Sequence, residues 1–294
     1  MHAVEVCRLT KYYGRRRAVD NLSFAVSHGE IFGFLGPNGA GKTTTIRTLL
    51  GYLRPTSGET QILGQDCRRN ATALRSVVGY LPAEFTLEAG MTGDCLVRFW
   101  ARLRGVKCDY GLMLAKRLTA DLQHPVQRLS RGQKQKIGIV QALLHQPQVL
   151  ILDEPTSGLD PLAREELFRM MREVKARGRT VFFSSHILSE VEKLCDRVAI
   201  IRAGTLVALE DIGTLRGRHT WKIHSVFART PDIEALARLA EVSAIAVQGE
   251  EVTLRVSGDL ASVLRWCAGY PLVDFTCEHP DLEEVFMRFY GEEQ

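Results

Sequence analysis

The 294-residue chain has no apolar run long enough to cross a bilayer, so any membrane role is expected to come through another chain. Its first residues, Met1-His2-Ala3-Val4-Glu5, lack a signal-peptide pattern. The seven cysteines (Cys7, Cys67, Cys95, Cys108, Cys195, Cys267 and Cys277) are scattered and never spaced as C-x-x-C. That argues against a disulfide framework or a zinc knuckle and for a reducing cytosol. A net charge of only +4 makes no demand for nucleic acid. With 45% apolar and 24% charged residues, the composition is that of a globular protein, and the length suits two domains.

The most informative stretch is Gly36-Pro37-Asn38-Gly39-Ala40-Gly41-Lys42-Thr43, followed by Thr44 and Thr45. It comes after the apolar run Ile31–Leu35, which reads as a buried strand, and before Ile46, Leu49 and Leu50 at helical spacing. Strand, glycine loop and helix form the context in which G-x-x-x-x-G-K-[ST] cradles phosphate. The glycines let successive N–H groups turn inward on an anion, and the helix adds its positive pole. Lys42 reaches the β- and γ-phosphates, and the Thr43 hydroxyl is placed for Mg²⁺. The chain is therefore expected to bind a nucleoside triphosphate.

Taken in order, Val4–Leu9 alternates and reads as an edge-type strand. Lys11-Tyr12-Tyr13-Gly14 and three arginines, Arg15 to Arg17, follow. The arginines read as a solvated loop and the tyrosines, on local physics, as core, although an aromatic ahead of a phosphate loop can also stack on a base. Asn70 to Val77 reads as a helix capped at Asn70, and Val78–Pro82 as a strand running into a loop at Ala83-Glu84-Phe85. Between Met91 and Gln127 the periodicity is helical, with Cys95, Leu96, Phe99, Trp100 and Leu103 most simply core. A helix start at Leu129–Gln133 leads through Ile137, Val140 and Leu143 to Pro147. Val149–Leu152 is fully apolar, as in a parallel sheet covered on both faces. A helix Pro161–Arg177, a strand Thr180–Ser184, a helix Ile187–Leu194 and a strand Arg197–Ile201 complete a β/α alternation. Beyond the Gly- and Arg-rich stretch 211–218 the pattern is β-α-β-β-α-β, with a last helix over Leu282–Tyr290.

Asp153-Glu154 closes the apolar strand, and Pro155 is expected to supply the turn that brings both carboxylates to one place. Asp153 then suits Mg²⁺ binding, through water, and Glu154 suits activation of a water beside the terminal phosphate. His186 follows Ser184-Ser185 at a strand's carboxyl end, the ligand side of a parallel sheet. Ser130, Gly132 and Gln133 offer a hydroxyl and bare N–H groups at a second helix start, a second anion site by the same physics, although taken alone the stretch reads more readily as a plain cap.

Together, Gly36–Thr43, Leu129–Gln133, Leu150–Glu154, Ser157-Gly158-Leu159-Asp160 and His186 resemble the ATP-binding subunit of ABC transporters, over roughly residues 4–210. They match that family's Walker A loop, signature motif, Walker B strand, D-loop and switch histidine in order and spacing. The resemblance implies an α/β fold: a P-loop NTPase core over residues 1–211 with a helical subdomain at about 84–145, and a small α+β, ferredoxin-like domain over 212–294. It implies ATP hydrolysis with Mg²⁺, ATP lying on Tyr13, Gly36 to Thr44 and Lys42, with Glu154 and His186 catalytic. Mg²⁺ would be held by Thr43 and Asp153. Ser130, Arg131, Gly132 and Gln133 would close on the ATP of an opposite subunit, and Asp160 would link the two sites. The implied partners are a second ATPase subunit, identical or not, and a separate integral-membrane permease at the cytoplasmic face of the cell membrane; nucleic acid is not among them. The segment Pro280–Phe289 is similar to the tail of drug-resistance-type exporter ATPases, which points to export of a drug or lipid-like substrate. Two positions depart from the family pattern. Ala83 stands where a Mg²⁺-binding glutamine is usual, leaving Glu84 as the possible substitute, and Arg131 stands where glycine is commoner.

Overall fold

The computed structural model describes residues 2–217, 220–237, 242–257 and 260–278. It divides into two compact units at residues 210 and 211. The larger unit opens with β1 (His2–Tyr13) and β2 (Arg16–Ser27), antiparallel partners. Next come β3 (Ile31–Leu35), α1 (Lys42–Leu49), β4 (Ser57–Ile62), β5 (Gln65–Asp66), α2 (Ala71–Val77) and β6 (Val78–Leu81). Helices α3 (Gly93–Leu103), α4 (Asp109–Arg117) and α5 (Arg131–Leu143) follow. The unit closes with β7 (Val149–Asp153), α6 (Pro161–Ala176), β8 (Thr180–Ser185), α7 (Leu188–Leu194), β9 (Arg197–Arg202) and β10 (Thr205–Asp211).

Two sheets result. The first runs β2-β1-β4-β5, so β1 lies inside a sheet and is longer than the edge strand its alternation suggested. The second runs β10-β9-β3-β8-β7-β6, with β9, β3, β8, β7 and β6 joined by parallel pairings. Every residue of β3, β7 and β8 is buried, the physical reason Ile31–Leu35 and Val149–Leu152 read as unbroken apolar runs. The sheets meet through Phe24 of β2 and Phe32 and Phe34 of β3, with Phe182 of β8 beside them at ring-centroid distances of 5.2 to 6.1 Å. Aromatic contacts of this kind add to the area they bury.

Several local expectations are corrected. Asn70 occupies the cap position of α2 but its side chain makes no cap; its amide donates to the Asp66 carbonyl instead. In α3, Leu96 and Val97 are buried, whereas Cys95, Phe99 and Leu103, read as core, are exposed, the last two at 50% and 71%.

The second unit contains α8 (Ile212–Gly217), β11 (Thr220–Phe227), α9 (Glu234–Ala237), β12 (Val242–Gln248), β13 (Glu251–Ser257), α10 (Ala261–Ala268) and β14 (Leu272–Glu278). Its antiparallel sheet runs β12-β13-β11-β14, the strand order of a ferredoxin-like unit. Ile223, Phe227, Val252, Leu254, Val263 and Cys267 form its core. The helix expected over Leu282–Tyr290, with the exporter-like tail, lies outside the described residues.

Candidate active site

In the six-stranded sheet β8 lies between β3 and β7, so the loops leaving the carboxyl ends of all three strands converge. The loop after β3 carries residues 36–41 into α1. Gly41 is the N-cap with φ 104°, and an added Cβ there would stand 2.6 Å from the Ala18 carbonyl oxygen, so only glycine fits. No side chain caps α1, which leaves its first N–H groups and positive pole facing the loop.

Lys42, the first residue of α1, is 5% exposed. Its Nζ donates to the Gly36 carbonyl at 2.5 Å and the Pro37 carbonyl at 3.2 Å, and stands 3.1 Å from Glu154 Oε1. The last contact is one of charge, since Oε1 is buried without a hydrogen bond among the described residues. Glu154 Oε2 lies 2.7 Å from His186 Nδ1. Thr43 Oγ1 donates to Asp153 Oδ2 at 2.7 Å, and Ser184 Oγ donates to Asp153 Oδ1 at 2.7 Å. Burial raises the Asp153 carboxyl above its ordinary value, against the pull of those two hydroxyls. The chain bends at Glu154, at φ 51°, and Pro155 opens the turn that follows, which Ser157 N closes on the Glu154 carbonyl at 3.2 Å. A non-glycine residue at that φ is strained, and such residues gather at working sites.

Of these, Lys42, Thr43 and Glu154 line a cavity of about 390 Å³ together with Tyr13, Asn38, Gly39, Thr44 and Ala83, whereas Asp153 and His186 reach it only through their bonds to Thr43 and Glu154. Tyr12 and Tyr13 are not core: they are 40% and 46% exposed, at the end of β1 where it pairs with Arg17 and Arg16 of β2 beyond the last β4 pairing at Thr10. Lys11 Nζ sits 5.2 Å from the Tyr13 ring centroid. Arg16 and Arg17 belong to β2 and line the same cavity, where the sequence suggested only a solvated loop; Arg17 pairs with Asp20 at 2.7 Å. Their place just across Gly14 and Arg15 from Tyr13 was the available signal. Ala83 lines the cavity, whereas Glu84 is exposed and absent from its wall.

The signature residues lie apart from this cavity. Ser130 caps α5, its Oγ accepting from Gln133 N at 3.2 Å. The Gln133 side chain accepts from Asp121 N at 2.7 Å, so it is engaged within the chain. Arg131 Nη2 donates to Ser157 Oγ at 2.9 Å, and Gly132 lies so close to Gly158 that a Cβ would meet its carbonyl oxygen at 2.3 Å. Gln135, which the sequence reading passed over, donates to the Pro155 carbonyl at 3.0 Å. Asp160 caps α6 through Ala163 N at 2.9 Å and pairs with Lys136 at 2.9 Å. The helix α5 thus grips the loop 154–160 of its own chain along its length.

A cradle of N–H groups with a buried lysine, a hydroxyl–carboxylate pair and a glutamate–histidine pair is equipped to hold and cleave a triphosphate. Comparison with known proteins agrees. The family model described as ABC transporter matches residues 19–157. The bacitracin transport ATP-binding protein BcrA of Bacillus licheniformis is 42% identical over 214 residues, covering 71% of this chain and 69% of that protein. The Nod factor export ATP-binding protein I of Rhizobium meliloti is 35% identical over 315 residues, covering 99% of this chain and 89% of that one. A solved ATP-binding subunit of an ABC transporter superposes with a TM-score of 0.67 at 32% identity, covering 73% of this chain and 92% of its own. The second relative extends the likeness from the cavity through the small unit, and on these grounds the chain belongs to the ATP-binding subunits of ABC transporters, the ATPases of those assemblies.

Proposed function

We propose that two copies of this ATPase subunit, or one copy and a related subunit, close around two ATP molecules and drive a separate membrane permease through an export cycle. The observation that carries this reading is the meeting of Lys42, Thr43, Asp153, Glu154 and His186 at one loop. Tyr13 offers an exposed ring for adenine, and the backbone of residues 36–44 receives the phosphates, with Lys42 as their counter-charge. Thr43 and Asp153 present adjoining oxygens, a donor set that suits a hard cation, and would hold Mg²⁺, directly or through water. Bound there, Mg²⁺ would neutralise charge developing on the phosphates. Glu154 takes the proton of the attacking water, and His186, bonded to the same carboxylate, orients it and faces the γ-phosphate. Ser130, Arg131, Gly132 and Gln133 of the opposite subunit close the site. Asp160 acts at that junction while remaining anchored to Lys136. Glu84 stands out of the wall, and the role of the usual glutamine passes to no side chain at position 83.

The domain assignment follows: residues 1–211 as nucleotide-binding domain, 84–145 as its helical subdomain, and 212–294 as an accessory domain. A groove of about 460 Å³ lined by Leu49, Tyr52, Leu74, Phe85 and Trp100 is the seat for a permease helix. Among the described residues no helix is long and apolar enough to cross a membrane, so the subunit is held at the cytoplasmic face through that contact. The relatives named for bacitracin transport and Nod factor export support export as the direction. The test is the oligomeric state of a Glu154→Gln chain by scattering or crosslinking. ATP-dependent dimers are expected; lone monomers in saturating ATP, with the membrane partner present, overturn the reading.

A further inference from the structure

Behind the Glu154–His186 pair, outside the cavity, lies a carboxylate that the reaction above does not use. Glu190 of α7 is 3% exposed. Its Oε2 accepts from Thr156 Oγ1 at 2.9 Å and from Ser185 Oγ at 2.9 Å. Its Oε1 stands 3.6 Å from Arg164 Nε, a charge contact too long for a hydrogen bond. Ser185 Oγ also accepts from Ile187 N at 3.0 Å, which fixes the backbone on the far side of His186. Thr156 is two residues past Glu154, and Ser185 is the immediate neighbour of His186. One oxygen atom therefore ties together the two segments that deliver the catalytic pair.

A buried carboxylate is a poor device for cohesion alone, because desolvation offsets most of what its contacts return. It is a good device for fixing two hydroxyl-bearing segments at set directions and distances. Glu154 needs such a support: its backbone is in the left-handed region, and Ser184, next to Ser185, holds its N–H through a carbonyl at 3.2 Å. We infer that Glu190 is a positioning residue for hydrolysis, holding the loop of Glu154 against the strand end that carries His186. This inference rests on the roles given to Glu154 and His186 above.

The test compares single and double variants of the full chain. Glu190→Ala lowers kcat roughly 10- to 100-fold, the scale of a small misplacement of reacting groups, with KM within about twofold. Added to Glu154→Gln, it slows the residual turnover by less than about twofold, because residues acting as a unit are not additive. Glu190→Gln, which keeps an acceptor oxygen for both hydroxyls and leaves no buried charge unpartnered, recovers most of kcat, and this separates a lost positioning contact from a folding defect. Unchanged kcat in Glu190→Ala, a loss expressed only in KM, or a full additional loss on top of Glu154→Gln overturns the proposal. If Glu154→Gln itself turns over at the parental rate, the assignment of the base has failed and the proposal falls with it, a result distinguishable from the others by that single variant.

Discussion

Lys42 Nζ and Glu154 Oε1 stand 3.1 Å apart, which puts the cation proposed for the phosphates and the proposed proton acceptor in one contact. Glu154→Gln removes the acceptor but keeps its size and its partner positions. Turnover is expected to fall roughly 10²–10⁴-fold, the usual share of a general base. ATP binding is expected to persist. Single-turnover hydrolysis beside calorimetric binding measures the two separately.

Gly132 permits α5 to touch the loop at Gly158. In Gly132→Ala the new Cβ would stand 2.3 Å from a backbone oxygen, so the loop must shift. Overpacking of this kind costs about 1–3 kcal/mol. A denaturant midpoint should show that loss, and ATP-dependent dimer formation, followed by scattering, should weaken more than ATP binding does.

Arg117 of α4 clasps α6 with three contacts, to Glu166 at 2.6 Å and to Glu173 at 2.6 and 2.7 Å. The guanidinium is a quarter exposed, at 25%, so water discounts the cluster. Arg117→Ala is expected to cost about 1–2 kcal/mol by chemical denaturation. Arg117→Lys should recover less than half of it, since an ammonium cannot fork across two carboxylates.

His145 gives a pH signature. Burial, aided by the charge of Arg104, lowers its pKa from 6.5 to about 4, while its Nε2 faces the Val78 carbonyl at 3.2 Å. The folded chain keeps this ring neutral where the unfolded chain protonates it. Its contribution is therefore complete above pH 6.5 and is lost as pH falls toward 4. The thermal midpoint should drop through that window, and His145→Gln should flatten the drop. Carboxylates held below their ordinary values, such as Asp66 and Glu173, act at lower pH.

The sheet strands were legible because burial on both faces writes itself as an unbroken apolar run, as in Val149–Leu152. The loop of Gly36 to Thr43 was legible because its backbone shape demands particular residues at fixed offsets. What escaped notice was long-range. Nothing local to Gln135 tells that its amide will meet the Pro155 carbonyl, and nothing local to Glu190 tells that two hydroxyls will converge on it. Arg16 and Arg17 were misread because a basic run looks the same in solvent and on a cavity wall. Local physics placed Tyr13 in the core because aromatic content does not reveal that only β2, and not β4, accompanies β1 to its end.

Tyr13 ends a strand of one sheet, and Lys42 follows a strand of the other. Between the sheets stand the rings of Phe24, Phe32, Phe34 and Phe182. Rigid rings in contact do not compress, so the span from aromatic platform to lysine is gauged by the protein's interior and not by its loops. With Tyr13 and Lys42 in their proposed roles, the reach between base and phosphate is set deep inside, where surface change does not reach.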